Sequence, residues 1–132
     1  MADIREVAVN FSTTDVTLVN DAETVIISSG RAVMPFRTHR VLVFAWAQLL
    51  IGTSATHVIP RIRRGTAVGG TLVGDAVSEE IKTAAADREP FFIMASEQRA
   101  NEESVEYSLT LEVTAGAANS TANQAAIAVL VL

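Results

Sequence analysis

The 132-residue chain contains no cysteine. This absence excludes a disulfide framework, a thiolate zinc site and a cysteine nucleophile, so the fold must be held together by packing. Aromatic residues make up only 5% of the chain, with one tryptophan and one tyrosine, which gives little support to stacking on single-stranded bases. Only 19% of the residues are charged and the net charge is −5. An acidic balance of this kind argues against nucleic acid as the main partner.

The sequence also shows no pattern typical of a targeting signal. The first residues lack the basic stretch followed by an apolar stretch that marks a secretory signal. The prominent apolar run at Val41–Ile51 has eleven residues, about half of the roughly 20 that a membrane-spanning helix needs. We therefore expect a protein that is made and assembled in a cytoplasm and has no membrane partner.

The chain is rich in hydrophobic residues, which make up 49% of it. This fraction exceeds what a soluble monomer of this length needs, which indicates contacts between subunits. The run Val41–Ile51 is apolar on both faces that a strand would present, with Trp46 and Gln48 on the same face. A helix over Thr38–Leu50 is the alternative, but the β-branched and aromatic residues favour a strand. Such a strand belongs in a sandwich whose outer face is covered by another subunit.

Three other segments also predict strands. His57–Arg64 alternates, and Pro60 within it suits an edge or an interface. Val105–Val113 alternates between inward apolar residues and outward polar residues that should meet water. Ala125–Leu132 is apolar on both faces, so it must be paired between neighbours or inserted in an interface.

The remaining segments are shorter or more polar. Residues 1–30 hold short apolar runs that predict outer strands or an N-terminal arm. Ser78–Ala86 reads as a short helix or an irregular strand, whereas Glu97–Ser104 and Gly116–Gln124 read as loops. About eight to ten short strands in one domain, residues 1–132, predict an all-β protein with an antiparallel β-sandwich.

No catalytic, metal or cofactor site is predicted from the side chains. His39 and His57 have no partner at a metal-ligand spacing. Glu79–Glu80 and Glu102–Glu103 are adjacent pairs, and adjacent residues on a strand point to opposite faces, so they do not form the opposed carboxylates of glycoside hydrolysis. We expect a protein that is not an enzyme.

Arg61, Arg63 and Arg64 form the one sharp charged cluster. An anion or nucleic-acid contact is one interpretation of it. The other is a strand facing a subunit, in which the arginines meet acids on a neighbouring strand or chain. The expected acidic partners are Glu79, Glu80 and Glu106.

Three segments and the apolar C-terminal strand resemble those of a known family. The segments are residues 41–50 (Val-Leu-Val-Phe-Ala-Trp-Ala-Gln-Leu-Leu), 60–66 (Pro-Arg-Ile-Arg-Arg-Gly-Thr) and 107–113 (Tyr-Ser-Leu-Thr-Leu-Glu-Val). Over residues 23–132 the layout resembles small jelly-roll structural proteins of tailed-bacteriophage virions, which are similar in fold to the trimeric tumour-necrosis-factor and complement C1q jelly rolls. The resemblance implies a trimer with the doubly apolar strands at the threefold axis. It also implies a location in the virion and a role in decorating or cementing a capsid.

The first functional hypothesis is therefore a non-enzymatic capsid decoration protein that contacts the major capsid protein or another virion protein. The residues expected at its subunit interface are Trp46, Gln48, Arg61, Arg63, Arg64, Leu130 and Leu132. The alternative is a tail- or fibre-associated adhesin that binds a host surface glycan, with a small hydrolase as a third hypothesis. An adhesin usually shows Trp or Tyr in its loops, whereas Trp46 and Tyr107 are both predicted to lie in strands.

Overall fold

The computed structural model describes residues 5–19, 21–35, 37–52, 57–75, 79–80, 88–100, 104–114 and 120–132. These residues form twelve strands, and none of them belongs to a helix of the length and apolar character needed to cross a membrane. The strands are β1 (Arg5–Ser12), β2 (Val16–Thr17), β3 (Glu23–Ser28), β4 (Ala32–Val33), β5 (His39–Leu50), β6 (His57–Arg64), β7 (Thr71–Val73), β8 (Glu79–Glu80), β9 (Arg88–Arg99), β10 (Ser104–Val105), β11 (Tyr107–Thr114) and β12 (Thr121–Val131).

The strands build two antiparallel sheets. In the first sheet the order is β1-β12-β5-β9, with β2 also paired to β12. In the second sheet the order is β3-β11-β6-β7, with β8 also paired to β6. Strands β4 and β10 form a separate short pair. Along the chain the path crosses repeatedly between the two sheets, as in a jelly roll, so the predicted all-β sandwich with jelly-roll topology is confirmed.

Strand β5 lies in the interior of the first sheet, between β12 and β9. It pairs with β9 along its whole length, from His39 opposite Arg99 to Leu50 opposite Arg88. Every second side chain, Val41 through Leu49, is buried, while the intervening ones are partly exposed. The strand prediction is therefore confirmed, and the helix alternative is wrong because ladder pairing on both edges satisfies the backbone of this segment.

The core lies between the two sheets. Tyr107, Leu109 and Leu111 of β11 point inward from the second sheet and are at most 1% exposed. Ile127 and Val129 of β12 point inward from the first sheet and are equally buried. Burying each aliphatic side chain of this kind stabilises the fold by about 1.5–3 kcal/mol.

Two segments expected to be loops are partly strand. Strand β9 continues through Arg99, because its last residues pair with the start of β5. Strand β12 begins at Thr121, which pairs with both Leu50 and Thr17. Cross-strand pairing therefore outweighs the polar composition of both segments. The Ser78–Ala86 prediction lies largely outside the described residues, although Glu79–Glu80 pairs with β6 as a strand.

Candidate functional site: the apolar face of the first sheet

Side chains that point away from the core on the first sheet form an apolar surface. The cross-strand register places Phe11, Ala126, Trp46 and Phe92 in one row across the four strands. The next row contains Val9, Ala128, Phe44 and Met94, and a third contains Leu130 and Leu42. We call these ten residues the apolar face.

The side chains at the flanks of the apolar face are the most exposed. Phe11 is 62% exposed and Val9 53% on β1, while Phe92 is 61% and Met94 55% on β9. The face spans three residues on each flanking strand and five on each interior strand. At about 3.4 Å per residue and about 4.8 Å between strands it covers roughly 260 Å² in plan. Exposed apolar patches of a few hundred Å² are often functional.

A groove runs through the apolar face. Its volume is about 200 Å³, and small side chains, Ala126 and Ala128 of β12, form part of its lining. Val9 stands on the β1 side, and Phe44, Trp46 and Phe92 stand on the other. The rings of Phe44 and Phe92 pack against each other with centroids 5.9 Å apart and a tilt of 41°. The groove exists because alanines on one strand lie between larger side chains on its neighbours.

The outer face of the second sheet is different, because it is covered by ion pairs within the chain. Arg63 donates to both carboxylate oxygens of Glu23, from Nε at 2.6 Å and from Nη2 at 2.9 Å. Arg61 donates to Glu112 at 3.0 Å. Burial acts to raise the pKa of Glu23, but hydrogen bonds from Arg63 and Thr110 outweigh it and hold that pKa below its ordinary value.

This charged layer corrects a prediction about β11. Ser108 and Thr110 were expected to meet water, yet both are 0% exposed. Thr110 donates its hydroxyl to Glu23, and Ser108 donates to the carbonyl of Gly65. Long charged side chains laid over short polar ones exclude water from them.

A second ionic cluster joins the two sheets at one end of the sandwich. Arg64 donates to both oxygens of Glu97 at 2.9 and 3.1 Å, and the Tyr107 hydroxyl donates to Glu97 at 2.8 Å. Glu97 belongs to the first sheet, and its two donors belong to the second. Burial would raise the pKa of Glu97, but these two hydrogen bonds outweigh it and lower that pKa. Burial first, and then the bond to Glu97, raise the pKa of Tyr107.

The arginine cluster was predicted correctly as an ion-paired group, but the partners that the structure shows, Glu23, Glu112 and Glu97, were not among those expected. The side chains of Glu79 and Glu80 lie outside the described residues. The register accounts for one of the partners, because β6 pairs with β11 and places Arg61 beside Thr110, two residue pairs from Glu112. The assignment of Arg61, Arg63 and Arg64 to a subunit interface stays a prediction.

The other four predicted interface residues lie on the first sheet and are partly exposed. Trp46 and Leu130 belong to the apolar face, whereas Gln48 lies one row beyond Trp46 and Leu132 follows the end of β12. Their contact with another subunit also stays a prediction. Sequence reasoning missed the flanking residues of the face. A short outer strand was expected near Ile4–Val9, and the alternation of Val9 and Phe11 is a signal that could have extended it to Phe11.

Among the described residues there is no group of three or more His, Asp or Glu side chains placed to hold a metal ion. His39 is buried, and its Nδ1 lies 2.7 Å from the carbonyl oxygen of Arg37. That contact ties the start of β5 to the preceding turn.

No protein-family model matches the chain, and no curated protein matches it with statistical significance. Among solved structures, a chain of the infectious bursal disease virus Gx strain superimposes with a TM-score of 0.50 and 13% identity, over 98% of this chain and 33% of that one. This chain therefore spans about a third of that viral chain. The likeness is one of fold.

Two further structures have lower scores. A pilus protein of Bacillus endospore appendages has a TM-score of 0.42 and 16% identity, over 96% of this chain and 88% of that one. A family 35 carbohydrate-binding module from Clostridium thermocellum has a TM-score of 0.39 and 10% identity, over 96% and 98%.

Proposed function

We propose that this protein is a non-enzymatic structural subunit of a virion, which assembles with copies of itself through the apolar face and decorates or cements a capsid. In its finer form the proposal is a trimer that binds the major capsid protein or another virion protein. The bacteriophage assignment and the threefold state rest on the resemblance of residues 23–132 to phage jelly rolls.

The observation that carries the proposal is the contrast between the two outer faces of the sandwich. On the second sheet the clustered arginines have carboxylate partners within the chain. On the first sheet Phe11, Phe92 and Met94 are each more than half exposed. A face that is apolar across four strands is stabilised when another surface covers it.

The size of the face bears on the kind of contact. Two faces of roughly 260 Å² in plan give about 500 Å², which is less than the ~1,000 Å² expected of a specific interface. At about 25 cal/mol per Å² this area corresponds to roughly 13 kcal/mol of transfer free energy, and the cost of association is about 4–15 kcal/mol. We therefore take the apolar face as the core of an interface whose polar rim includes neighbouring residues.

The proposal is tested in the particle. Virions purified from the producing host should contain the chain in fixed stoichiometry by mass spectrometry, and electron microscopy should place it on the head. Deletion of its gene should leave particles that assemble but break at a lower temperature. A chain absent from purified particles would overturn the virion assignment, and heads that fail to assemble without it would overturn the decoration role.

One observation favours the adhesin alternative. Trp46, Phe44 and Phe92 line an open groove, and aromatic rings of this kind can stack on sugar rings. The eight residues that line the groove are all apolar, however, whereas ligand sites use a few polar groups to fix orientation. A glycan array combined with Trp46 fluorescence tests this alternative. Saturable quenching by one oligosaccharide, lost in Trp46→Ala, would favour the adhesin over the decoration protein.

A further inference from the structure

Phe11 is the most exposed aromatic side chain of the apolar face, at 62%. Its position is fixed even though its ring is exposed. Asn10 accepts a hydrogen bond from the backbone N–H of Phe11 at 2.9 Å and donates to the carbonyl of Ser28 at 2.8 Å. Ser28 belongs to β3, so this contact anchors β1 to the second sheet. A ring held on a fixed backbone loses little freedom when it binds.

The groove has the size of one aromatic ring. A cavity of roughly 150 Å³ lined by apolar side chains is enough to bind benzene, and the groove over Ala126 and Ala128 has about 200 Å³. Phe11 of the same chain is not among the lining residues. The apolar face therefore carries both a projecting ring and an unfilled apolar groove of matching size.

We propose that Phe11 of one copy of this chain inserts into the groove over Ala126 and Ala128 of a second copy. The proposal rests on the proposed function only in taking the neighbour to be a second copy. The match in size between the exposed ring and the groove, both on one face of the chain, favours this occupant. A groove with an all-apolar lining suits a phenyl ring better than it suits a polar ligand.

Small side chains at the groove floor are a requirement of this contact. Ala128→Leu fills the groove but points away from the core, so the monomer can fold. If general hydrophobicity drove association, the added leucine would strengthen it. If Phe11 must enter, the leucine blocks it. This opposite sign separates the proposed contact from non-specific apolar adhesion.

The experiment compares the full-length native chain with Phe11→Ser and Ala128→Leu by analytical ultracentrifugation from nanomolar to millimolar concentration. Val33→Ser is the matched control, because Val33 is 63% exposed and lies on β4, outside the apolar face. Circular dichroism confirms that each variant is folded. Trp46, the one tryptophan of the chain, lines the groove and reports on it by fluorescence.

We expect Phe11→Ser and Ala128→Leu each to raise the dissociation constant by about 10- to 100-fold, the equivalent of losing the burial of one phenylalanine. Val33→Ser should leave it unchanged. Trp46 emission of the native chain should shift to the red on dilution into monomers, as water enters the groove. Unchanged emission while the mass falls would place the contact elsewhere and overturn the inference.

Association of Ala128→Leu as tight as native, or tighter, would also overturn the inference, as would native-like association of Phe11→Ser. A native chain that stays a 14.0 kDa monomer at millimolar concentration would rule out a second copy as the occupant. Each of these results can coexist with the chain being found in purified virions, so the virion assignment is judged separately.

Discussion

Glu97→Gln tests the ionic cluster that joins the two sheets. The substitution keeps the size of the side chain but removes the charge that binds Arg64 and Tyr107. The carboxylate and the guanidinium are only 15% and 27% exposed, so the pair lies between a surface pair, worth about 0–1 kcal/mol, and a fully buried one, whose disruption costs about 3–5 kcal/mol. We therefore expect the free energy of unfolding to fall by about 2–3 kcal/mol at pH 7.

The effect of Glu97→Gln on stability should also depend on pH in a definite direction. The folded-state pKa of Glu97 is lowered from its ordinary value of 4.5. A lowered folded pKa means that the stabilisation is complete above the unfolded-state pKa and is lost as the pH falls through the folded-state pKa. Glutamine is neutral at every pH. The difference in the free energy of unfolding between the native chain and the variant should therefore be largest above the ordinary pKa of 4.5 and should shrink as the pH falls below it.

The assay is thermal and urea unfolding of both chains between pH 2.5 and 8. For a domain of this size a loss of 2–3 kcal/mol lowers Tm by roughly 10 °C. Glu89→Gln, the same change of charge on β9, is the control, and it should alter stability by no more than about 0.5 kcal/mol. A destabilisation by Glu97→Gln that stays the same from pH 7 down to pH 2.5 would refute the role of the ionised carboxylate, and so would no destabilisation at pH 7.

Three further predictions concern association, the arginines and a tight turn. Leu130→Asp should leave a folded monomer, because the carboxylate reaches water in the free chain but not in the assembly, whereas Val129→Asp, in the core, should prevent folding. Circular dichroism combined with light scattering distinguishes these two outcomes. Normal assembly of Leu130→Asp would exclude β12 from the interface. Changing all three clustered arginines of β6 to Gln should lower Tm and weaken assembly in a salt-dependent way. If the native chain instead binds DNA at physiological salt and this variant does not, the arginines form a nucleic-acid site. Gly70→Ala should lower the free energy of unfolding by about 1–3 kcal/mol, since an added Cβ would lie 2.5 Å from the Arg64 carbonyl oxygen. Gly69→Ala is the control, because a Cβ there meets nothing within 4 Å. An equal loss of stability in both variants, measured by urea unfolding, would contradict the steric explanation.

The sandwich could be predicted from the sequence because its longest strands have strong patterns. In β11 the inward residues Tyr107, Leu109 and Leu111 alternate with polar ones, and a period of two is the direct signal of a strand with one buried face. Strand β6 was predicted with the bounds that it has in the structure, His57–Arg64. The central strand was identified by its length and β-branched content.

The polar contacts could not be predicted, because they depend on which strands become neighbours. Arg63 meets Glu23, forty residues away along the chain, only because both β3 and β6 pair with β11. Similarly, the sequence predicts that Glu97 belongs to an exposed loop, whereas in the structure Arg64 and Tyr107 donate hydrogen bonds to it from the opposite sheet. Pattern fixes which face a residue occupies, whereas strand order fixes what it touches.

Phe11 and Phe92 escaped sequence prediction for a related reason. Each belongs to a segment in which apolar residues neighbour each other or sit beside polar turns, so neither stands out as a surface residue. They become a shared surface only when β1 and β9 flank β12 and β5 in one sheet. The doubly apolar pattern of the two interior strands did predict that some outer face would be apolar.

The two margins of the first sheet also constrain how large an assembly can grow. Within the part of the chain that the structure describes, β1 and β9 each pair on one side only, and an open strand edge can pair with the edges of further copies. In β9, Pro90 lacks the N–H that a further strand would need, and charged residues stand at both ends, Arg88 and Arg99. Edge-to-edge polymerisation is therefore disfavoured. In the proposed assembly the copies meet through their apolar faces and not through their edges, which favours a particle of finite size.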